Sequence, residues 1–351
     1  MAITLHERYA KDVEKKFTLE SIVAGKTANK YSFEGVKTVN IPTIVSQPLG
    51  QYKRTGTNRY GEPKEVQDTM QTVTLEVDAA FSMTVDKGNN TEQQAIKNAG
   101  TVLKVQMEEQ VVPAYDTRVL GQWTRFAGKV AGVSSALTAS TVYKEIIKAR
   151  KHFVNAKINM SKGRIYLGVP ATTYELLLEN EHFLAADKLN EKLLSNGVVG
   201  KISNMLVVEI PDEYLGTGVQ FIAWHADCVE APKKIWDTNL HMNPPGISGH
   251  LLEGRFIYDG FVLAEKCDGV YALVLSADKL ATPTISTSGK TITCSGATLI
   301  KYTNDGSDPR YSHTAKPFSG AFVAAAGETV KAVGFADGKF TSDVATATMP
   351  V

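Results

Sequence analysis

Cysteine is scarce in this chain of 351 residues. Its three cysteines lie far apart, and no two of them form a Cys-x-x-Cys pair. That spacing argues against a structural zinc site and against a disulfide framework. The sequence therefore predicts three reduced, mostly buried thiols, which fits a reducing compartment better than secretion. The three residues are Cys228, Cys267 and Cys294.

An excess of one charge is also missing. Lysine and arginine total 38, and aspartate and glutamate total 37, which leaves a formal net charge of +1. A dedicated nucleic-acid-binding protein normally carries a basic excess, because its affinity comes from neutralising phosphates. Hydrophobic residues at 43% and charged residues at 21% are typical of a globular protein, and the length suggests about two domains.

Long apolar runs are absent as well, so the sequence predicts no membrane span, and residues 1–8 contain no apolar core of a signal peptide. Catalytic motifs are missing too: there is no His-Glu-x-x-His and no Gly-x-Ser-x-Gly, and the histidines show no ligand spacing. Gly289-Lys290-Thr291 resembles the end of a phosphate-binding loop, but Thr284 stands where that loop needs its first glycine. The sequence therefore predicts no enzyme, and no catalytic, cofactor or metal site.

Residues 41–90 contain the most informative stretch. Two strand-like ends, 36–45 and 72–79, flank a polar middle, and apolar and polar residues alternate in the second end as in a half-exposed strand. The middle, residues 50–63, has almost no aliphatic side chains and cannot bury a core of its own. The sequence predicts a long projecting hairpin, and because an isolated hairpin is marginal in water, it also predicts a partner surface.

The tip of that hairpin carries charges of both signs and two aromatic rings. Such a mixture favours docking on a complementary protein surface, where charges fix register more than they add affinity. A merely solvated loop and a nucleic-acid patch are the alternatives. The predicted contact residues are Tyr52, Lys53, Arg54, Arg59, Tyr60 and Glu62.

Residues 91–123 show the pattern of one long helix. The helix is expected to start with a capping box at Thr91, and Pro113 is expected to kink or interrupt it. Residues 124–277 alternate between helical and strand-like segments, which predicts an antiparallel or mixed sheet flanked by helices. Two late segments, 256–265 and 269–275, look like strands that pair with each other.

Charge thins out at about residue 277, and serine, threonine, alanine and glycine become frequent. Short strand-like runs then alternate with turns, which is typical of a small β-sandwich. One turn contains Asp305, Gly306 and Asp308. Its two carboxylates could hold calcium, but Asx-type turns explain them equally well.

The order of an arm, a polar-tipped hairpin, a long helix and a mixed α/β unit resembles the major capsid proteins of tailed bacteriophages, which have the Hong Kong 97-type fold. Residues 65–78 resemble the returning strand of that family's extended loop, and 91–123 resemble its spine helix. Residues 163–183 resemble the strand-to-helix segment of its axial domain. The resemblance covers about residues 1–277.

The C-terminal stretch has a resemblance of its own. Residues 300–309, 329–334 and 338–343 are similar to an immunoglobulin-like module at the C-termini of chitobiase-type glycosidases. The module is an accessory there, so the similarity implies no catalysis. On a capsid it implies an outward decoration domain, whose removal beyond Ala277 is expected to leave assembly intact.

Together the two resemblances imply an α+β fold in four parts. These are an N-terminal arm (1–40), an extended hairpin loop (41–90), a spine helix with peripheral and axial α/β domains (91–277), and an immunoglobulin-like β-sandwich (278–351).

The capsid resemblance implies self-assembly into hexamers and pentamers of an icosahedral phage head around double-stranded DNA, which the subunit would touch non-specifically. It implies a portal as partner and allows a separate scaffolding protein, because only about 40 residues precede the loop. The expected location is the virion, after assembly in the bacterial cytoplasm, and a glycan on a host or in mucus is a further expected ligand. An encapsulin-like nanocompartment shell and a carbohydrate-binding surface protein are the alternatives.

Overall fold

A computed structural model describes residues 20–44, 46, 49–63, 65–66, 68–88, 99–160, 164–180, 184–185 and 197–350. Residues 1–19 of the expected N-terminal arm and the expected capping box at Thr91 lie outside the described residues. Within the described part of the chain, no helix is both long and apolar enough to cross a membrane.

Helices and strands both occur up to about residue 275, and the C-terminal part is built from short strands. The helices are α1 (Ala99–Gln106), α2 (Val112–Arg125), α3 (Ala139–Asn155) and α4 (Ala171–Leu178), with a π-helical turn (Met107–Val111) between α1 and α2. The strands are β1 (Thr38–Ile44), β2 (Asp68–Thr74), β3 (Val77–Asp86), β4 (Lys129–Val133), β5 (Ile165–Pro170), β6 (Leu184–Ala185), β7 (Val198–Ile202), β8 (Met205–Ile210), β9 (Val219–His225), β10 (Val229–Glu230), β11 (Lys233–Met242), β12 (Gly249–Tyr258), β13 (Phe261–Val262), β14 (Val270–Leu275), β15 (Thr284–Ser286), β16 (Thr291–Thr293), β17 (Leu299–Thr303), β18 (Lys316–Pro317), β19 (Thr329–Phe335) and β20 (Ala345–Thr348).

A mixed sheet forms the centre of the molecule, with the strand order β4-β14-β9-β5-β8-β7-β6. On one face, α3 contributes Val142, Ile146 and Phe153 to a buried core. On the other face, α2 contributes Val119 and Trp123 to a second core. Because apolar residues cover both faces, the sheet is sandwiched between helices, as the sequence predicts for this region.

The interruption expected in the long helix is the π-helical turn that directly precedes α2. Pro113 lies in the first turn of α2, where it has no N–H to donate to a carbonyl of the preceding turn. In a π-helical turn each N–H bonds to the carbonyl five residues back instead of four. This wider turn accommodates the proline ring, so the helix continues past Pro113. We call α1, this turn and α2 together the spine helix.

The expected pairing of 256–265 with 269–275 is wrong. Strand β12 pairs with β11 and β3 in a separate three-stranded sheet, while β14 pairs with β4 and β9 in the central sheet. Phe256 and Tyr258 of β12 meet Trp236 edge to face, and Tyr258 also contacts Tyr115 of the spine helix. These aromatic contacts join segments far apart in sequence, which local periodicity cannot identify.

Residues 20–33 lie along the body and are held by buried polar contacts. The carboxylate of Asp116, in α2, accepts hydrogen bonds from Ser21 Oγ and Ile22 N, each at 2.7 Å. Trp224 Nε1 donates to the carbonyl of Lys26 at 3.1 Å. Burial raises the pKa of Asp116 even though Ser21 and Ile22 donate to it, so this carboxyl is enclosed by protein.

The C-terminal strands form two sheets, β15-β16 and β18-β17-β19-β20. Both sheets share one apolar core, as expected for a small β-sandwich. The buried members of this core are Ile292, Phe322, Ala324, Val330, Ala332 and Met349.

Candidate functional site

The predicted hairpin is a two-stranded antiparallel ribbon, formed by β1 and β2. Its register runs from Thr38 opposite Thr74 to Ile44 opposite Asp68. The end predicted as one strand over 72–79 is divided between two sheets, because β2 ends at Thr74 and β3, which begins at Val77, pairs with β12. The base of the ribbon is fixed to the body by a small apolar core, because one face of each strand is buried there. The members of that core are Phe33, Ile41, Val73, Leu75, Phe261 and Leu263.

Arg118 of the spine helix ties the base of the ribbon to the body. Its guanidinium donates to Glu76 at 2.7 Å, and to the two carboxylate oxygens of Asp259 at 2.9 and 3.2 Å. The backbone N–H of Glu76 also donates to Asp259, at 3.0 Å. One side chain therefore joins the helix, the end of the ribbon and the loop after β12.

Among the described residues, the tip of the ribbon, residues 49–63, makes hydrogen bonds and ring contacts only within itself. The backbone N–H of Lys53 donates to the carbonyl of Arg59 at 2.8 Å, and the rings of Tyr52 and Tyr60 meet edge to face with centroids 5.0 Å apart. Asn58 has a positive φ of 54°, which asparagine tolerates in tight turns. Every one of these residues is exposed, so the tip folds on itself without packing against the described body.

The structure brings the predicted contact residues together on this tip. They are Tyr52, Lys53, Arg54, Arg59, Tyr60 and Glu62, and all of them are exposed. Their contact with another subunit stays a prediction. The geometry nevertheless leaves their side chains available to a partner.

Apolar side chains are also exposed along the ribbon beyond its base. The exposed fraction is 76% for Ile44, 65% for Val66 and 91% for Tyr60. Exposed apolar groups cost free energy in water, at about 25 cal/mol per Å² relative to burial. Exposed apolar side chains at several positions along one ribbon favour an interaction surface.

The predicted C-terminal turn is an Asx turn. Asp305 Oδ1 accepts from the backbone N–H of Ser307 at 2.9 Å, and Oδ2 accepts from Thr314 Oγ1 at 2.6 Å. Burial alone would raise the pKa of Asp305, but the hydrogen bonds from Ser307 and Thr314 outweigh it and leave the pKa below its usual value. Gly306 takes the left-handed conformation at φ +78° that this turn requires.

Asp308 does not join Asp305 in a cation site. Its carboxylate forms an ion pair with Arg310, with Oδ2 to Nη2 at 2.7 Å. Among the described residues, no group of three or more histidine, cysteine, aspartate or glutamate side chains could hold a metal ion. The Asx-turn interpretation therefore accounts for Asp305, and a salt bridge accounts for Asp308.

The cysteines sit where catalysis is disfavoured. Burial raises the pKa of both Cys228 and Cys267 to about 12, so each is a neutral thiol near neutral pH. Cys294 is half-buried, and burial also raises its pKa. None of the three has the low pKa of a reactive nucleophile.

Sequence reasoning missed the residues that hold the ribbon in place. Gln71 is buried on β2 and bridges the carbonyl of Val262, at 2.8 Å, and the N–H of Ala264, at 2.9 Å. Arg118 and Arg310 are further examples, since their partners are distant in sequence. One signal for Gln71 was available in the sequence: in the alternating pattern it falls on the same face as the apolar residues Val73 and Leu75, which predicts a buried glutamine.

The described fold is one that occurs in bacteriophage capsids. It matches a chain of Mycobacterium phage Che8 with a TM-score of 0.62 and 16% identity, over 77% of this chain and 96% of that chain. It matches the capsid structure of cyanophage P-SCSP1u with a TM-score of 0.62 and 11% identity, over 77% and 93%. The mature capsid of bacteriophage PhiM1 gives a TM-score of 0.59 and 14% identity, over 78% and 92%.

The C-terminal β-sandwich has a separate match. Residues 291–349 match the model of a family described as Fn3 associated. No curated protein sequence matches the chain. The chain thus shows two similarities: its fold is similar to that of phage capsid chains, and residues 291–349 are similar to the Fn3-associated family.

Proposed function

We propose that this chain is a structural, non-enzymatic subunit of a bacteriophage capsid, and that its copies assemble through the ribbon. The observation that carries this proposal is the exposed, self-contained tip on a fold that phage capsid chains share. A projecting element with exposed apolar side chains gains free energy when a second copy covers it.

The contact is heterologous, because the tip of one subunit meets a different surface of its neighbour. Such contacts generate rings when the rotation between neighbours closes. Rings of six and of five would tile an icosahedral shell, and each subunit would be held by several contacts at once, which raises avidity. The tip carries charges of both signs, with Lys53 and Arg54 within ten residues of Glu62 in the sequence. Such a pattern favours one docking position of the tip on its neighbour over others.

The proposal extends to the remaining parts of the chain. In a Hong Kong 97-type subunit, residues 1–40 serve as an arm, 41–90 as the extended loop and 91–277 as the spine, peripheral and axial regions. Residues 278–351 form an immunoglobulin-like domain that decorates the outer surface and is available to glycans. The shell belongs to the virion, assembles in the host cytoplasm with a portal and a scaffold, and touches packaged double-stranded DNA non-specifically.

Electron microscopy of the purified protein tests this proposal. We expect closed hollow particles or rings from the intact chain, because the tip has a partner surface on its neighbour. Deletion of residues 52–62 should abolish the particles and leave a folded monomer, since the tip contributes nothing to the described body. Monomers alone from the intact chain at high concentration would contradict assembly.

Two matched double variants distinguish a specific role of the tip charges in assembly from a general effect of the net charge. Lys53→Glu with Arg54→Glu changes two exposed cations of the tip, whereas Lys144→Glu with Lys151→Glu changes two exposed cations of α3. We expect the first pair to slow assembly about tenfold or more, as measured by light scattering, because complementary charges raise association rates. Equal slowing by both pairs would contradict docking of the tip.

A further inference from the structure

The C-terminal β-sandwich supplies hydrogen-bond donors to the end of the spine helix. A helix leaves its last carbonyl groups without partners, and buried carbonyls need them. Here the carbonyl oxygens of four consecutive residues all accept from side chains of the β-sandwich: Arg125, the last residue of the helix, and residues 126–128 directly after it. The pairs are Thr341 Oγ1 with Arg125 O at 3.0 Å, Tyr311 Oη with Phe126 O at 2.5 Å, and Arg310 Nη1 with Ala127 O at 2.7 Å and Gly128 O at 3.0 Å.

Arg310 is placed for this role. Its side chain is only 6% exposed and is paired with Asp308, which holds the guanidinium in position. A cation near the C-terminus of a helix is also favoured by the helix dipole. Tyr311 is buried in the same core as Trp123 of the spine helix, so the two domains share apolar as well as polar contacts.

The same segment also holds the ribbon. The backbone N–H of His313 donates to the carbonyl of Met70, in β2, at 3.0 Å. Ser312 forms a β-bridge with Gln71, the buried glutamine that β2 inserts into the body. Residues 308–313 therefore touch the end of the spine helix and the base of the ribbon at once.

We propose that residues 308–313 are a brace that fixes the ribbon relative to the spine helix. The C-terminal domain then has a positioning function inside the subunit, in addition to any role on its outer surface. Without the brace, the carbonyls of residues 126–128 would lose their partners, and β2 would lose the strand segment that supports it. The effect of the brace on shell formation rests on the proposed capsid function, but the brace itself is a property of the single subunit.

Hydrogen–deuterium exchange on the free subunit tests the brace. Arg310→Met removes the donors to two carbonyls, and Tyr311→Phe removes one hydroxyl while the ring stays in place. We expect exchange in the peptide that covers residues 68–74 to become about tenfold faster in each variant, because a buried hydrogen bond is lost. Exchange in β19 should keep its protection, which shows that the β-sandwich remains folded.

Tyr302→Phe is the matched control, because Tyr302 is partly buried and packs against the β-sandwich core. It should leave residues 68–74 unchanged. The brace is disproved if Arg310→Met and Tyr311→Phe leave exchange of residues 68–74 at the wild-type rate, or if they accelerate β19 and the ribbon equally. Since the readout uses free subunits, it gives the same answer whether or not the protein forms shells, and a failure of assembly is detected separately by microscopy.

Discussion

A single arginine illustrates how this subunit joins distant segments. Arg118 binds Glu76, at the end of the ribbon, and Asp259, in the loop after β12. Asp259 has a side chain that is only 6% exposed, and its carboxylate accepts hydrogen bonds from Arg118 and from the backbone N–H groups of Glu76 and Gly260. Removal of one partner from a buried ion pair leaves an uncompensated charge, which costs more than the pair itself contributes.

Arg118→Ala should therefore lower the free energy of unfolding by about 2–4 kcal/mol, measured by urea denaturation. Arg255→Ala is the matched control, since Arg255 forms an equally bidentate pair with Asp78 on an exposed surface. That variant should change stability little, because exposed pairs are screened by water. Similar losses in the two variants would show that burial of Asp259 is not the cause.

At the scale of elements, the junction between the β-sandwich and the central sheet depends on charge. Asp343, between β19 and β20, accepts from Lys129 of β4 at 2.8 Å and from Lys279 at 2.5 Å. Burial alone would raise the pKa of Asp343, but the hydrogen bonds from Lys129 and Lys279 outweigh it and hold the pKa below its ordinary value of 3.8.

The lowered pKa of Asp343 determines how the stability of the protein changes with pH. A carboxyl whose pKa is depressed by folding contributes stability that is complete above its unfolded pKa and is lost as the pH falls through the folded pKa. Stability should thus decline below about pH 4, in part through Asp343. The Asp343→Asn variant should be less stable than the wild type at pH 7, and its stability should depend less on pH between 6 and 3. Thermal melts from pH 7 to pH 3 measure both effects. An unchanged pH profile would exclude Asp343 as a contributor.

Helices and strands whose apolar residues recur at a regular spacing could be predicted from the sequence. The buried face of α3, with Val142, Ile146 and Phe153, follows from spacing alone, and so does the alternation in β2 and β3. Strand partners could not be predicted in this way. The pairing of β12 with β3 joins residues about 170 positions apart, and the stacking of Phe81 on Phe256 across this pair is a contact in space.

At the scale of the whole molecule, the drop in charge near residue 277 predicts a separate domain. The β-sandwich has an apolar core of its own, but Tyr311 lies in the core that contains Trp123. Composition does not reveal that Arg310 and Tyr311 complete a helix end about 185 residues earlier. The expectation that removal beyond Ala277 leaves assembly intact treats the domain as a simple attachment. The contacts favour the opposite result, a body that is less stable and a ribbon that is less well held.

The candidate site was predictable to a greater extent than the brace. A stretch without aliphatic residues cannot form its own core, and this local property alone places residues 50–63 at an exposed tip. The brace consists of ordinary side chains whose importance comes from burial, and burial is decided by the complete fold. Long-range hydrogen bonds such as that of Gln71 leave no periodic signal in the sequence.

The exposed tip also has a consequence for proteolysis. Three trypsin sites, after Lys53, Arg54 and Arg59, lie within a segment that is open to solvent on all described sides. Brief trypsin treatment should cut free subunits there and spare subunits whose tips are covered by a neighbour, with gel electrophoresis as the readout. Equal cutting before and after shell formation would contradict coverage of the tip. A time course of cleavage would then report what fraction of subunits has found a neighbour, without any label on the protein.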